Sequence, residues 1–325
     1  MYIVWSRFQQ RANMLAAKLD VEVCWFSYDW EKKGGVSKIP AYILKSISTL
    51  GKYLKERPAR IFAQLPPSPL LYITYIYSKL FKCQVIFDCH NSLFCAHWVR
   101  WPLVKNILNS KNVVTLSHNV DICEIAKGMG VETIVLQTPP TKPRVDAISQ
   151  TLPCGLAPYG YVIVPLSFSD DEPVEELFSA ARQTSEITYV ITWSKHLESK
   201  KETLDIPGNV VFTGFLEESL YEVVFVNALC AIALTDREGT QPSVASEAIG
   251  FGVPLVISDI ATTRKLYAEW PIYVNNKASS IAEGVEVVAS DREAMVPRMR
   301  GLLDRISMMH ETQFSNLMKK LDNSL

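Results

Sequence analysis

The sequence predicts an α/β protein of two doubly wound domains, each a parallel sheet covered by helices, facing one another across a central cleft. Three observations lead there. Short β-rich runs alternate with helix-length segments, the pattern of parallel strands joined by helical crossovers. The alternation breaks once, over residues 138–158, where Pro139, Pro140, Pro143, Pro153 and Pro158 cluster as in an interdomain linker, and then restarts. The length, 325 residues, suits two domains that each bury a core. The boundaries are read as 1–145 and 146–325, with the final helix able to pack back on the first domain.

In order, the first half shows strand-like runs at 2–5, 21–27, 60–64, 84–88, 112–116 and 133–136. Helical patterns fall at 9–19, 39–54, 69–81 and 120–129. In the second half, 161–165 reads as a strand, and Ser169, two aspartates, Glu172 and Pro173 read as a helix start. Further strands are expected at 188–191, 210–213, 231–234, 255–258 and 272–274. Met295, Met299, Leu302, Ile306, Met309, Leu317 and Leu321 keep helical spacing to the end of the chain.

With 48% apolar and 21% charged residues, the composition excludes a disordered chain or a coiled coil. No apolar run reaches the ~20 residues of a membrane helix, and Arg7 and Arg11 interrupt what a secretory signal would need. The seven cysteines, without a CxxC pair, read as buried free thiols of a reducing compartment. A cytoplasmic protein is expected. Residues 1–145 carry 19 Lys and Arg against 9 Asp and Glu, and residues 146–325 carry 14 against 25. A basic half can meet nucleic acid, an anionic membrane or a phosphorylated substrate, or simply the acidic half across the cleft.

The most informative stretch is EGTQPSVASEAIGFGVPLVISD, from Glu238 to Asp259. An apolar strand enters a loop containing Gly239, Thr240 and Pro242; a helix then runs from Ser243 to about Ile249. A glycine loop leading into a helix start exposes unpaired N–H groups and the positive end of the helix dipole, which suits a diphosphate. Glu247, on the second turn, can accept hydrogen bonds from ribose hydroxyls. Glu238 can bind hydroxyls of an attached sugar. An acidic loop before an ordinary capped helix has the same local pattern.

Glu238, Gly239, Pro242, Glu247, Ala248, Gly252 and Pro254 together resemble the nucleotide-sugar motif of group 1 (family 4-like) glycosyltransferases. The resemblance implies the GT-B fold, two Rossmann-like domains, with a nucleotide-sugar donor on the C-terminal one. Val211-Phe-Thr-Gly-Phe215 looks like the family's strand and turn beside the nucleobase, which singles out Gly214 and Phe215. Residues 164–169 and 171–173 look like the start of its donor domain. In the first half, Gln64-Leu-Pro-Pro67 and Val85-Ile-Phe-Asp-Cys-His-Asn91 are similar to β-mannosyltransferases acting on lipid-linked chitobiose. Three departures stand out: one extra residue between Glu238 and Glu247, no paired glycines at residues 5–10, and Trp193 where many relatives have glycine.

In such relatives a basic residue after the strand ending near Thr192 faces the donor diphosphate. Lys195 is the first choice, Arg182 a weaker one, and Lys200 and Lys201 read as solvated. His90, just after the strand 84–88, can contact donor sugar or phosphate or act as a base, with Asp88 orienting it or itself the base. His118 and Asn119 are a second choice. The acidic run at 170–172 fits helix capping better than a metal site. On the helix 39–54, Ile39, Ile43, Ile47, Leu50 and Leu54 share one face, and Lys38, Lys45 and Lys52 recur opposite it. That basic stripe is expected outermost, solvated or against an anionic membrane. Nucleic acid is not expected as a partner.

The expected function is transfer of a sugar from a nucleotide-diphosphate donor to a hydroxyl of a lipid-linked or polysaccharide precursor, without metal or other cofactor, in the cytoplasm or peripherally on the inner face of a membrane. A GT-B subunit that only binds, and a sugar-nucleotide epimerase, are the alternatives.

Overall fold

The computed structural model describes residues 1–33, 38–143, 152–192 and 204–322. They form two parallel six-stranded sheets. Contacts divide the chain into two compact units, Met1–Thr138 with Met309–Leu325, and Pro139–Met308.

In the first unit the strands are β1 (Tyr2–Val4), β2 (Val23–Trp25), β3 (Arg60–Leu65), β4 (Gln84–Cys89), β5 (Val113–Ser117) and β6 (Ile134–Val135), ordered β2-β1-β3-β4-β5-β6. Alternate residues of one strand enter different cores, as the twofold strand period requires. Ile3, Ile61, Ala63, Val85 and Phe87 pack against α2 (Lys38–Glu56), α3 (Ser68–Phe81), α4 (Asn91–Cys95), α5 (Val104–Leu108) and α6 (Val120–Gly128). Tyr2, Val4, Phe62, Ile86 and Val114 pack on the opposite face with α1 (Gln10–Leu19) and with Leu317 and Leu321.

Helix α2 is turned opposite to the sequence expectation. Its buried residues are Ala41, Lys45, Thr49 and Tyr53, whereas Ile39, Ile43, Ile47, Leu50 and Leu54 are exposed. The inward face is polar yet satisfied. Lys45 Nζ lies 2.6 Å from Glu31 Oε2 and donates to the Trp5 carbonyl at 3.4 Å. Trp5 Nε1 donates to Thr49 Oγ1 at 2.9 Å, and the hydroxyls of Tyr53 and Thr74 lie 2.8 Å apart. Lys52 pairs with Glu22 and Glu56, so the expected basic stripe is largely held by internal partners.

In the second unit the strands are β7 (Tyr161–Pro165), β8 (Thr188–Thr192), β9 (Val210–Gly214), β10 (Cys230–Ala233), β11 (Leu255–Ser258) and β12 (Ile272–Val274), ordered β12-β11-β10-β7-β8-β9. One face is covered by α7 (Val174–Gln183) and α11 (Ala278–Ser290). The other is covered by α8 (Glu218–Val226), α9 (Ser243–Phe251) and the first half of α12 (Arg292–Asp322), with α10 (Ala261–Tyr267) following β11. Helix α7 begins later than the sequence suggests. Its N-cap is Pro173, and the Glu172 carboxylate instead accepts the Ser167 and Ser169 N–H groups. At Gly250, on the last turn of α9, a Cβ would collide with the Thr141 carbonyl, so the backbones can approach only without a side chain.

No described helix is long and apolar enough to cross a membrane. Among the cysteines, Cys24, Cys83, Cys89 and Cys230 are buried free thiols, whereas Cys95 is an exposed one.

Candidate functional site

In the second sheet the chain runs from β7 outward to β9, returns, and lays β10 on the other side of β7. Loops leaving two such neighbouring strands diverge, which opens a crevice beyond their carboxyl ends. A cavity of about 460 Å³ lies there. Val164 to Ser167 and Asp171 to Val174 line one side; Thr240 to Val244, with Glu247, line another.

The start of α9 faces this cavity. Pro242, its N-cap, has an extended backbone and no side chain that accepts from the first turn. A nine-residue helix therefore presents its positive end without a capping side chain. Thr240 and Ser243 border it. On the second turn, Glu247 Oε2 accepts from Tyr221 Oη at 2.6 Å, and both residues line the cavity. Burial raises the Glu247 pKa, and the tyrosine hydrogen bond offsets part of that shift. Among the described residues no protein group donates to the other carboxylate oxygen, so the group can still accept from a ligand hydroxyl.

Glu238 takes a different place from the expected one. Its Oε1 accepts from the Ala261 N–H at 3.0 Å, and its Oε2 from the Thr262 N–H and hydroxyl at 3.2 and 3.1 Å. It caps α10 and does not line the cavity. Gly239, at φ +78°, makes the turn and donates its N–H to Thr262 Oγ1 at 2.8 Å. Both interactions bind the glycine loop to the start of α10.

Arg182 is corrected outright. A crossover helix runs antiparallel to its strands, so the last turn of α7 lies at the amino edge of the sheet, away from the cavity. There Arg182 donates to Asp205 Oδ2 at 2.6 Å and to its carbonyl at 2.7 Å. Gly214, at φ +66°, ends β9, and Phe215 beyond it is 59% exposed; neither lines the cavity. Lys195, Lys200, Lys201 and Trp193 lie outside the described residues. Asp171 accepts from the Thr235 hydroxyl at 2.7 Å and pairs with Arg237 at 3.2 Å. The Thr235 hydrogen bond is the main reason its pKa is lowered.

The first unit gathers a second group of polar side chains at the carboxyl edge of its sheet. Asp88, on β4, is fully buried. Arg11, at the start of α1, donates to it through Nε at 3.0 Å and through Nη2 at 2.9 Å; Tyr2 Oη donates at 2.6 Å. Burial alone would raise the Asp88 pKa, but the guanidinium and His118 hold it well below the usual carboxylate range. Asp88 is thus a compensated counter-ion. Its histidine neighbour is His118, with Nε2 3.5 Å away, and not His90 as expected. His90 touches the Gln64 amide through Nε2 and stacks edge-on against His118, with ring centroids 4.2 Å apart. Burial, then repulsion by His118, lowers its pKa to about 3. Asn119 caps α6, its Oδ1 accepting the Ile122 N–H at 2.8 Å.

Ligand atoms of Asp88, His90 and His118 lie within 4.8 Å of one another. Such a set can approach a metal ion, but the Arg11 guanidinium already occupies the charge complement that a cation would need. Sequence reasoning missed Arg11, Tyr2, Gln64 and Tyr221. For Arg11 the available signal was indirect, since a buried aspartate requires a cationic or hydrogen-bonded partner.

No protein-family model and no curated protein matches the chain. Solved structures do. HepE of Anabaena, in complex with UDP and glucose, matches over 99% of this chain and 91% of its own, with TM-score 0.68 and 13% identity. The E. coli trehalose-6-phosphate protein bound with UDP-2-fluoro glucose matches over 98% of both chains, with TM-score 0.69 and 12% identity. An alpha,alpha-trehalose-phosphate synthase (UDP-forming) from Burkholderia vietnamiensis matches over 88% of this chain and 77% of its own, with TM-score 0.62 and 12% identity. Taken with the two parallel sheets, their strand orders and their covering helices, these similarities establish that the chain has the GT-B fold of two Rossmann-like domains.

Proposed function

We propose that the chain is a glycosyltransferase that moves a sugar from a nucleoside-diphosphate donor to a hydroxyl of a lipid-linked or surface-polysaccharide precursor. The observation that carries the reading is the helix start without a capping side chain, opening with Glu247 into a cavity at the switch point of the second sheet. Glu247 accepts from the ribose hydroxyls, held in place by Tyr221. The first turn of α9, with Thr240 and Ser243, receives the diphosphate, and Lys195 supplies a cation to it. Gly214 and Phe215, at the end of β9 and outside the cavity lining, flank the nucleobase where it extends beyond the cavity. Fixed dipoles and cations aimed at the departing diphosphate stabilise charge where it develops.

The state of the first unit bears on the base. Asp88 is neutralised by Arg11, and a histidine with a pKa of about 3 is a weak acceptor for an alcohol proton. Both facts support deprotonation of the acceptor by the leaving phosphate, with His90 acting as a neutral hydrogen-bonding group. The reaction then needs no metal or other cofactor.

Calorimetric titration with UDP, GDP and ADP, and with their glucose and mannose conjugates, tests the reading. One nucleotide family should bind, and Glu247→Gln should weaken it by about 1.5–3 kcal/mol, roughly 10- to 150-fold. Absence of binding throughout the series, or unchanged affinity in the variant, refutes the assigned site.

A further inference from the structure

The outward face of α2 is an apolar row on the surface of a water-exposed helix. Ile39, Ile43 and Ile47 are 61%, 55% and 63% exposed, and Leu50 and Leu54 continue the row. Nineteen residues at 1.5 Å per residue make a strip of roughly 28 Å. Helix α3 packs beside α2 on the same face of the sheet and adds exposed Ile76, Leu80 and Phe81. Large contiguous apolar patches on a folded surface mark a contact with something.

The surrounding charge identifies the contact. Between residues 38 and 111 the acidic residues are Glu56 and buried Asp88, against eleven lysines and arginines. Lys38, Lys55, Arg57, Lys79 and Lys82 are exposed near the helix ends. A second copy seated face to face would bring two basic rims together with little negative charge between them. A surface of fixed negative charge over an apolar layer satisfies both features at once.

We propose that the outward faces of α2 and α3 form a docking surface for an anionic phospholipid bilayer, with the isoleucine row lying in the headgroup–acyl boundary. The helix lies on the membrane and does not span it. Lys45 anchors α2 from beneath, so the sequence-derived idea of a lysine stripe meeting the membrane is replaced by an apolar row with a basic margin. That this surface carries the protein to a lipid-linked acceptor rests on the function proposed above; the docking itself does not.

Flotation with vesicles of phosphatidylcholine, alone or mixed with phosphatidylglycerol, tests this at low and high salt. The intact chain should float with the mixed vesicles and lose part of that binding as salt screens the basic margin. The double variant Ile43→Asp, Ile47→Asp should reduce partitioning roughly tenfold or more. Both positions are exposed, so its circular dichroism and its titrations with UDP, GDP and ADP should match those of the parent. Lys55→Glu with Lys82→Glu should reduce the preference for anionic over neutral vesicles.

No flotation at low salt overturns the proposal, as does flotation of the aspartate variant equal to that of the parent. So does a lipid-free dimer, seen by sedimentation velocity, that the aspartate variant abolishes, since the face then belongs to a second copy. Titration with UDP, GDP and ADP without vesicles keeps the two readings separate. Flotation without nucleotide binding leaves docking in place and removes the proposed function, and the reverse result removes docking alone.

Discussion

The two sheets place polar groups at equivalent edges and treat them in opposite ways. In the first unit, Asp88 is enclosed by Arg11, Tyr2 and His118, so each charge at the end of β4 has a partner inside the protein. In the second, the start of α9 has no capping side chain, and Glu247, fixed by Tyr221, borders an open cavity. A charge compensated from within holds a fold together. A dipole left without a side-chain cap, beside a half-buried carboxylate, keeps interactions open, which is what the proposed donor site requires. Perturbed carboxylates therefore mean different things here: Asp88 is pushed down by an internal cation, and Glu247 is pushed up by burial beside empty space.

The largest effect is expected from breaking the internal pair. Arg11→Met leaves Asp88 buried without its cation and should cost about 3–5 kcal/mol of unfolding free energy, read by denaturant titration of the full chain. Replacing both partners, Arg11→Met with Asp88→Leu, should recover much of the loss because no uncompensated charge remains. A loss below about 1 kcal/mol in the single variant, the typical range of an exposed pair, would contradict a buried, stability-bearing pair.

The contrast between the two edges also explains what could be read without coordinates. Each of the twelve strand segments expected from the sequence is a strand, because runs such as residues 84–88 and 255–258 are apolar on both faces and can exist only under helices. The position of Glu247 on the second turn of α9 was legible because Pro242 and the glycine turn at Gly252 bracket the helix. Compensation was not legible. Arg11 and Asp88 are 77 residues apart and meet only when α1 and β4 reach the same sheet edge. Helix α2 misled for a related reason. Periodicity separates an apolar from a polar face but does not say which one is inside, and Lys45 is buried because Glu31 and the Trp5 carbonyl receive its charge.

Acidification should separate the units further. His90, His118 and His310, all in the first unit, are kept neutral chiefly by burial, with pKa values lowered to about 3 for His90 and about 4 for His310. The unfolded chain takes up these protons from about pH 6.5 downward, whereas the folded chain does not, so stability falls as pH drops below that value. Each histidine contributes up to about 1.4 kcal/mol per pH unit until its folded pKa is reached. Glu247 acts oppositely: its raised pKa means that the folded state binds a proton before the unfolded state does, which favours folding as pH falls. Hydrogen exchange of the full chain between pH 7 and 5.5, corrected for intrinsic exchange rates, should show protection lost first in β3, β4 and β5. Equal loss in both sheets would sink the assignment.

The smallest effect distinguishes the two glutamates of the motif. Glu238 accepts the Ala261 and Thr262 N–H groups at the start of α10, so Glu238→Ala should behave as loss of a helix cap and cost about 1 kcal/mol. Nucleotide affinity should stay within twofold of the parent, because the carboxylate does not line the cavity. Glu247→Gln should do the reverse, keeping stability nearly unchanged while nucleotide binding falls. Paired thermal-shift and calorimetric measurements on the two variants expose the crossing directly. If Glu238→Ala left stability untouched and lowered turnover with a nucleotide sugar, the carboxylate would have to leave α10 when donor binds, and its role would return to the sugar hydroxyls.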